Sequence, residues 1–352
     1  MKHKLFIAAF SMLFLAGVAM ADAAKFNLNY GSTATPNSLR GIAEEMFLKE
    51  IETVSEGQIA FNRSWGGALV NNQEVLQAVQ DGVIDVGQVN PNFYPKQLLL
   101  NNAFSLIMQL PVDYNRRLKF FDDCFAAVPQ LEQEIQKFNQ KLVYNYNVTN
   151  YTFVSTSPIT KVEDLKGMKI RAAARWLLSL LKEVGATPVS MPLSDAPMAF
   201  QTNALNAGML SVDATDMQGM LEVAPYALVV NEFPVSTPYY MTMNSATYAK
   251  LPKELQDKIP VAAANAREKF SKFYNEKRQS ILEKWSKNPR YHVTVAGPEF
   301  IKGWTTLAGN KTNFETWVKE AKDAGLANSR EVLEGIYKVV NDSIAAEESA
   351  KK

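Results

Sequence analysis

Strand-like and helical patterns alternate through the first quarter of the chain. Residues 26–30, 58–62 and 83–89 alternate between apolar and polar side chains, as strands with one buried face do. Between them, residues 36–57 and 71–82 carry apolar side chains at the 3.6-residue spacing of a helix, and the second begins with an Asn-x-x-Glu sequence that resembles a capping box. The predicted order is β-α-β-α-β.

The same order returns in the middle of the chain. Strand-like segments occupy residues 168–172, 187–191 and 209–213, and helical patterns occupy residues 176–185 and 195–204. Repeated alternation of strands and helices is typical of parallel sheets covered by helices. We therefore expect an α/β protein with two lobes of similar plan, each a mostly parallel sheet flanked by helices.

Three further segments connect these lobes. Residues 142–154 and 238–244 are rich in β-forming side chains and predict hinge strands, whereas residues 253–288 predict a long helix with Pro260 as a kink. Each lobe is then discontinuous. The predicted ranges are 24–146 with 236–262 for the first lobe, 147–235 with 263–335 for the second, and 336–352 for the end of a helix and a solvated tail.

The N-terminus has the pattern of a secretory signal peptide. Basic residues precede an apolar run, and an Ala-x-Ala sequence predicts cleavage after Ala21, with Ala23 as the alternative. The run is shorter than the ~20 residues of a membrane-spanning helix, which argues against an anchor. We expect residues 1–21 to be removed and the protein to act in the periplasm.

Composition excludes several classes of protein. The 352 residues have a formal charge of +1, which removal of residues 1–21 would change to −1, so a basic nucleic-acid-binding face is not expected. Cys124 is the single cysteine and predicts a small buried side chain. After removal of His3 the chain would keep only His292, and it has no zinc-binding or phosphate-binding motif. We expect no enzyme activity, no metal, no cofactor and a monomer.

Ligands of open α/β sheets bind beyond the carboxyl ends of the strands. Arg171 ends a predicted strand there and could hold a carboxylate with two parallel hydrogen bonds; the alternative is a surface arginine paired with Asp164 or Glu163. Other candidates at strand ends have more ordinary interpretations. Arg63 and Arg175 suit solvated charges, Asp85, Asp195 and Asp213 suit loops or caps, and Trp65, Phe93, Tyr151 and Trp176 suit either a pocket wall or the core.

The sequence also resembles a known family. Residues 164–171 (Asp-Leu-Lys-Gly-Met-Lys-Ile-Arg), 181–194 and 199–203 are similar to the signature of TRAP transporter substrate-binding proteins of the DctP type. Residues 74–87 and 248–256 agree with the same family. The resemblance implies a two-lobe periplasmic binding protein that closes on a small organic acid and delivers it to the TRAP membrane permease subunits.

The resemblance also assigns residues to the site. It implies that Arg171 pairs with the ligand carboxylate. Further ligand contacts would come from Thr33, Asn90, Tyr151, Phe233 and the residues after the Gln-Thr-Asn turn, Met209 and Leu210.

Two departures from the family bear on the ligand. Tyr151 stands where many sugar-acid and dicarboxylate members have a second arginine, and Leu210 stands where they have a ligand-binding asparagine. Because an unpaired buried carboxylate is costly, the sequence favours a monocarboxylate with an apolar or aromatic part, such as a 2-oxo or 2-hydroxy acid. A C4-dicarboxylate or a sugar acid is the alternative ligand, and a sensing module for a signalling receptor is the alternative role.

Overall fold

The computed structural model describes residues 25–148, 150–233 and 238–350. The predicted signal peptide, residues 1–21, lies outside the described residues. Of the helices in the described ranges, none combines the length and apolar character that a membrane span requires.

The described residues form eleven strands and twelve α-helices. The strands are β1 (Phe26–Gly31), β2 (Ile59–Ser64), β3 (Val86–Val89), β4 (Gln140–Tyr146), β5 (Tyr151–Ser155), β6 (Lys169–Arg171), β7 (Thr187–Val189), β8 (Ala207–Ser211), β9 (Tyr226–Val229), β10 (Tyr239–Asn244) and β11 (His292–Val295). The helices are α1 (Leu39–Val54), α2 (Val75–Gln80), α3 (Tyr114–Ala127), α4 (Gln130–Gln136), α5 (Arg175–Glu183), α6 (Ala196–Gln201), α7 (Val212–Met217), α8 (Ser245–Lys250), α9 (Lys253–Ser286), α10 (Pro298–Thr305), α11 (Ala308–Asp323) and α12 (Ser329–Ser349).

The first lobe is built on a sheet with the strand order β2-β1-β3-β10-β4. β1 is parallel to β2 and β3, whereas β10 is antiparallel to its neighbours β3 and β4. Phe47 and Ile51 of α1 share one core with Leu28 and Phe61 of the sheet. This lobe arises because each helix carries the chain back across the sheet, so that the next strand runs in the same direction.

The second lobe repeats the plan with the strand order β11-β9-β5-β8-β6-β7. β6 is parallel to β7 and β8, β9 is parallel to β11, and β5 is antiparallel to both of its neighbours. In each sheet one strand is antiparallel to both of its neighbours, β10 in the first lobe and β5 in the second. Each of these two strands comes directly after the chain crosses from the other lobe. The predicted two-lobe α/β fold is confirmed.

The crossing segments and α9 hold the lobes together. The predicted extended segment 142–154 is in fact two strands, since β4 belongs to the first sheet and β5 to the second. α9 continues through Pro260 as one helix. It packs in the first-lobe core as far as Tyr274, whereas the predicted ranges end the first lobe at residue 262. Farther along, Ile281 and Trp285 pack in the second-lobe core. The predicted hinge strands and long helix are thus present.

The C-terminal helices also contact both lobes. Trp317 of α11 and Leu333 of α12 share a core with Phe104 near α3 and with Trp176 of α5. The sequence predicts a solvated tail, but Glu347 is buried, and its carboxylate accepts hydrogen bonds from the backbone N–H groups of Val112 and Asp113 just before α3. A carboxylate near a helix N-terminus is stabilised by those unpaired N–H groups.

At two places a serine cap sets a helix or strand boundary that differs from the one predicted from the sequence. The helix predicted from residue 36 begins at Leu39, because the Ser38 side chain accepts a hydrogen bond from Gly41 N (3.1 Å). The strand predicted over residues 209–213 is β8, which ends at Ser211. The Ser211 hydroxyl caps α7 by accepting from Ala214 N (3.4 Å), so residues 212 and 213 are helical.

Candidate ligand-binding site

Two adjoining cavities of about 360 and 530 Å³ open between the lobes. Both lobes supply their walls. The residues that line both cavities are Arg40, Tyr151, Arg171, Ala173, Leu193 and Tyr239. Because they share these residues, the cavities are two parts of one cleft, and their volumes suit a small ligand.

Arg171 lies at the end of β6 and reaches into this cleft. Its Nε donates to the carbonyl of Met191 (3.3 Å) and its Nη1 to that of Met209 (3.3 Å), so the backbone beside it on both sides holds the guanidinium in place. The residue is 9% exposed, and within the described ranges no carboxylate lies within salt-bridge distance of it. Burial lowers the pKa of Arg171, but an arginine remains charged at neutral pH.

The surface-pair alternative for Arg171 does not match this arrangement. The Asp164 carboxylate instead accepts hydrogen bonds from the backbone N–H groups of Thr160 (2.8 Å) and Lys161 (3.0 Å). A buried cation without a carboxylate partner is costly, because its lost hydration is not replaced by a charge. Arg171 therefore has donors on the cavity side to which an anion could bind.

The remainder of the smaller cavity is largely apolar. Its apolar lining includes Val148, Tyr151, Leu193, Met209, Leu210, Met217 and Tyr239. Tyr151 opens β5 beside Arg171, and burial raises its pKa to about 12, so its hydroxyl stays protonated and can donate a hydrogen bond. The site can thus hold an anionic group at one point and an apolar group along its wall.

The first-lobe side of the cleft is carried by the loop before α1. Thr33 lines the smaller cavity, and its hydroxyl donates to Asn72 Oδ1 (2.8 Å). The loop lies so close to the helix that a Cβ on Gly41 would stand 2.1 Å from the carbonyl oxygen of Thr35. Glycine at position 41 is therefore what lets Thr33 and its neighbours reach the cleft.

A second arginine, Arg40 of α1, also faces the cleft and was missed from the sequence. Its Nη2 donates to the hydroxyl of Thr33 (3.1 Å) and to Gln88 Oε1, and its guanidinium carbon lies 4.8 Å from the ring centre of Tyr239. The inference that the site has only one arginine, drawn from Tyr151, therefore needs correction. The helical spacing does indicate that Arg40 faces inward, because Arg40 and Glu44 lie on the helix face that continues with buried apolar residues.

Glu44 lies one helical turn beyond Arg40 and is fully buried. Its carboxylate accepts hydrogen bonds from the hydroxyls of Tyr30 (2.5 Å) and Tyr146. Burial raises the pKa of Glu44 despite these partners. Burial also disfavours the charge on Arg40, but nearby Tyr146, Tyr239 and Glu44 outweigh it and raise the pKa of Arg40.

The larger cavity is more polar. Asn90 lines it, and its side chain caps the following turn by accepting from Asn92 N (3.0 Å). Arg175 also lines it but pairs with Glu320, and its guanidinium carbon lies 3.8 Å from the ring centre of Trp176. Phe93, a further residue predicted from the sequence, also lines this cavity and is exposed.

Three predicted aromatic contacts lie outside the lining of both cavities. Trp65 follows the edge strand β2 and packs against Tyr30, with ring centres 5.2 Å apart. Trp176 turns into the core with the C-terminal helices. Phe233 packs against Trp304 (5.5 Å). Trp176 and Phe233 are buried in the core and Trp65 is partly buried against it, which removes apolar surface from water.

The remaining charged candidates have separate positions. Arg63 pairs with Glu45 and Glu52 at the surface of the first lobe. Asp85 accepts from the backbone N–H of Asn29 and is structural, whereas Asp213 in the first turn of α7 lines the smaller cavity. Among the described residues no group of acidic, histidine or cysteine side chains is placed to bind a metal ion.

Comparison with known proteins finds a matching family model and similar curated proteins. The model of the DctP family, described as bacterial extracellular solute-binding protein, family 7, matches residues 30–314. A solute-binding protein of Albidiferax ferrireducens is 26% identical over 270 residues, which cover 75% of this chain and 78% of that protein.

Solved structures share the fold. A TRAP periplasmic solute-binding protein from Desulfovibrio salexigens superimposes with a TM-score of 0.78 at 20% identity, covering 90% of this chain and 96% of that one. A TRAP solute-binding protein from an unidentified marine microbe, specific for pyroglutamate, superimposes with a TM-score of 0.71 at 18% identity, covering 90% and 99%.

Proposed function

The chain belongs to the DctP family, family 7 of the bacterial extracellular solute-binding proteins, and from that premise we propose that it captures a monocarboxylate with an apolar or aromatic part. As a TRAP solute-binding protein it binds a small organic acid outside the cytoplasm. The proposed ligand class includes 2-oxo and 2-hydroxy acids. After capture the protein delivers the acid to the TRAP membrane permease subunits.

The observation that carries this proposal is the buried guanidinium of Arg171 in the cleft. It has two backbone carbonyls as partners and no carboxylate among the described residues. A ligand carboxylate would supply the missing charge with bidentate geometry. The apolar lining around Tyr151 and Leu210 supports an apolar remainder of the ligand. Pyroglutamate, the ligand of the marine relative, is also a small monocarboxylate.

Binding and delivery follow from the two-lobe arrangement. A ligand that contacts both walls of the cleft favours the closed arrangement by the difference in its affinity for closed and open states. The permease would then recognise the closed protein. In this proposal the predicted signal peptide directs the chain to the periplasm, where it acts as a monomer.

A thermal-shift screen tests the ligand class. We expect branched or aromatic monocarboxylates such as 4-methyl-2-oxopentanoate and phenylpyruvate to stabilise the protein, by about 2.7 kcal/mol at ~100 times the dissociation constant. Arg171→Met should weaken the binding of such a probe by about a hundredfold, because a charge-assisted bidentate pair is lost. Arg290→Met, which removes an exposed arginine paired with Glu222, is the matched control and should bind normally.

Two outcomes would contradict the proposal. Stabilisation by succinate or galacturonate, with none by the monocarboxylates, would favour the dicarboxylate or sugar-acid alternative. Unchanged affinity in Arg171→Met would remove the arginine from the site. Transport is separated from sensing by uptake of the radiolabelled acid, which deletion of the gene should abolish in a transport system and leave intact in a sensor.

A further inference from the structure

We infer that Arg40 is a second ligand anchor, which binds an uncharged oxygen of the captured acid from the first-lobe side of the cleft. The inference rests on the proposed function, in which Arg171 holds the carboxylate. It assigns a specificity-determining role to a residue on α1, away from the strand ends at which ligands of this fold class are expected.

The position of Arg40 is the first argument. It lines both cavities together with Arg171, yet it belongs to the other lobe. Ligand contacts on opposite walls are what couple binding to closure, because only the closed cleft offers both at once. A ligand held by Arg171 alone would gain little from the first lobe.

The guanidinium of Arg40 is also held in one orientation. Its Nη2 donates to Thr33 and Gln88, and the Tyr239 ring lies against its face at 4.8 Å. Gln88 is itself buried. A donor that is already fixed loses little conformational freedom on binding, so its hydrogen bond to a ligand contributes more affinity.

The other two nitrogens of the guanidinium nevertheless lack acceptors. Its Nε is buried and makes no hydrogen bond with the described residues, and no carboxylate among them lies within salt-bridge distance of Arg40. Its Nη1 also makes no hydrogen bond with the described residues and, unlike Nε, is not fully buried, so an oxygen brought by the ligand could accept a hydrogen bond from it. Ligands that carry such an oxygen should be preferred over those that lack it.

The surroundings favour an uncharged oxygen over a second carboxylate. Asp213 lines the smaller cavity with Arg40. Glu44 and the face of the Tyr239 ring add negative potential near the guanidinium, and Glu44 acts on Arg40 from one helical turn away. These groups reduce the attraction of the site for a second anionic group, whereas they do not oppose a carbonyl or hydroxyl oxygen.

Calorimetric titration with matched acids tests the inference. The pairs are 4-methyl-2-oxopentanoate with 4-methylpentanoate, 4-oxopentanoate with pentanoate, and pyroglutamate with cyclopentanecarboxylate, and glutarate serves as the dianionic probe. We expect the protein to bind the oxygen-bearing member of at least one pair about ten- to a hundredfold more tightly, as a hydrogen bond to a charged donor predicts. We expect glutarate to bind more weakly than that member.

Variants then assign the preference to Arg40. Arg40→Met should abolish the difference within the pair while the oxygen-free acid still binds, and Arg40→Lys, which keeps the charge but loses the fork, should retain part of it. Arg290→Met should leave the difference unchanged. Urea unfolding of each variant without ligand checks that the fold is intact.

The outcomes separate this inference from the proposed function. If no acid of the panel binds, the proposed ligand class is wrong and the inference fails with it. If the acids bind through Arg171 but Arg40→Met weakens both members of the pair equally, or neither, the proposed function stands and Arg40 is not the second anchor. Tighter binding of glutarate through Arg40 would overturn the uncharged oxygen.

Discussion

Two buried arginines, Arg171 in the cleft and Arg117 at the hinge, differ in what surrounds them. Arg117 of α3 is fully buried, and neither arginine forms an ion pair with a described carboxylate. Arg117 donates to Pro111 O (3.0 and 3.2 Å) and Asn150 Oδ1 (3.3 Å), with Val112 O and Asn231 O at 3.4 and 3.5 Å. Arg171 has two carbonyl partners and faces a cavity.

The two guanidinium groups differ in how far protein acceptors satisfy them, and on this difference rests the proposal that Arg117 is structural whereas Arg171 binds a ligand. The guanidinium of Arg117 donates to three segments: the residues just before α3, the β4–β5 crossing and the segment after β9. It therefore joins both lobes. Arg171 has two carbonyl partners, and its remaining donor capacity lies beside the cavity. Burial alone therefore does not indicate a binding arginine, and the proposed role of Arg171 depends on its unused donors beside a cavity.

The largest effect that tests this comparison is expected at the hinge. Arg117→Met should lower the free energy of unfolding by about 3–5 kcal/mol, because several buried acceptors lose their donor at once. Urea unfolding measures the change. Arg116→Met on the same helix is the control, since no side-chain hydrogen bond of Arg116 to a described residue is present, and it should change stability by less than about 0.5 kcal/mol. Equal losses in both variants would contradict the assignment.

A smaller effect is expected from Glu44, the buried carboxyl behind Arg40. Burial raises its pKa above the ordinary 4.5, so the native state holds this proton more tightly than the unfolded chain does. Native stability should therefore decline as the pH rises from 4.5 through the raised pKa, by up to about 1.4 kcal/mol per pH unit.

Glu44→Gln isolates this contribution. The variant should gain stability relative to the parent protein over that pH window and show a constant difference below it, in urea unfolding at a series of pH values. Glu134, another buried carboxyl whose pKa is raised by burial, is present in both proteins and cancels. A pH-independent difference would show that Glu44 titrates normally.

The smallest change in stability is expected at Arg171. Without ligand, Arg171→Met should alter the free energy of unfolding by less than about 1 kcal/mol, because removing an unpaired buried charge offsets the two lost carbonyl bonds. Urea unfolding of the ligand-free variant measures this. A loss as large as that expected for Arg117→Met would mean that Arg171 is a structural residue as well, and the contrast between the two regions would fail.

Much of the fold was predictable because its information is local. Alternation and helical spacing identify β1, α1 and their counterparts in the second lobe, and a β-α-β order dictates parallel strands. The long helix α9 was evident for the same reason. The α3–α4 region and the C-terminal helices were not predicted in detail, since their apolar residues pack in a core assembled from distant parts of the chain.

The site was predictable only in part. Arg171 stands at a strand end, where the fold class places ligands, and the structure brings it together with Thr33, Tyr151, Met209 and Leu210. Trp65, Trp176 and Phe233 were indistinguishable from these in the sequence, because the direction of an aromatic side chain depends on which neighbours it meets.

The sequence by itself determined the two discontinuous α/β lobes, the hinge strands that join them and the arginine at the end of β6. Periodicity and strand ends are properties of short segments, which is why they could be predicted. Only the tertiary structure decided that Arg40 faces the same cleft and that Arg117 is saturated with acceptors. Both outcomes depend on residues more than thirty positions away, such as Gln88, Tyr239 and Asn150, which become neighbours only when the sheets have formed.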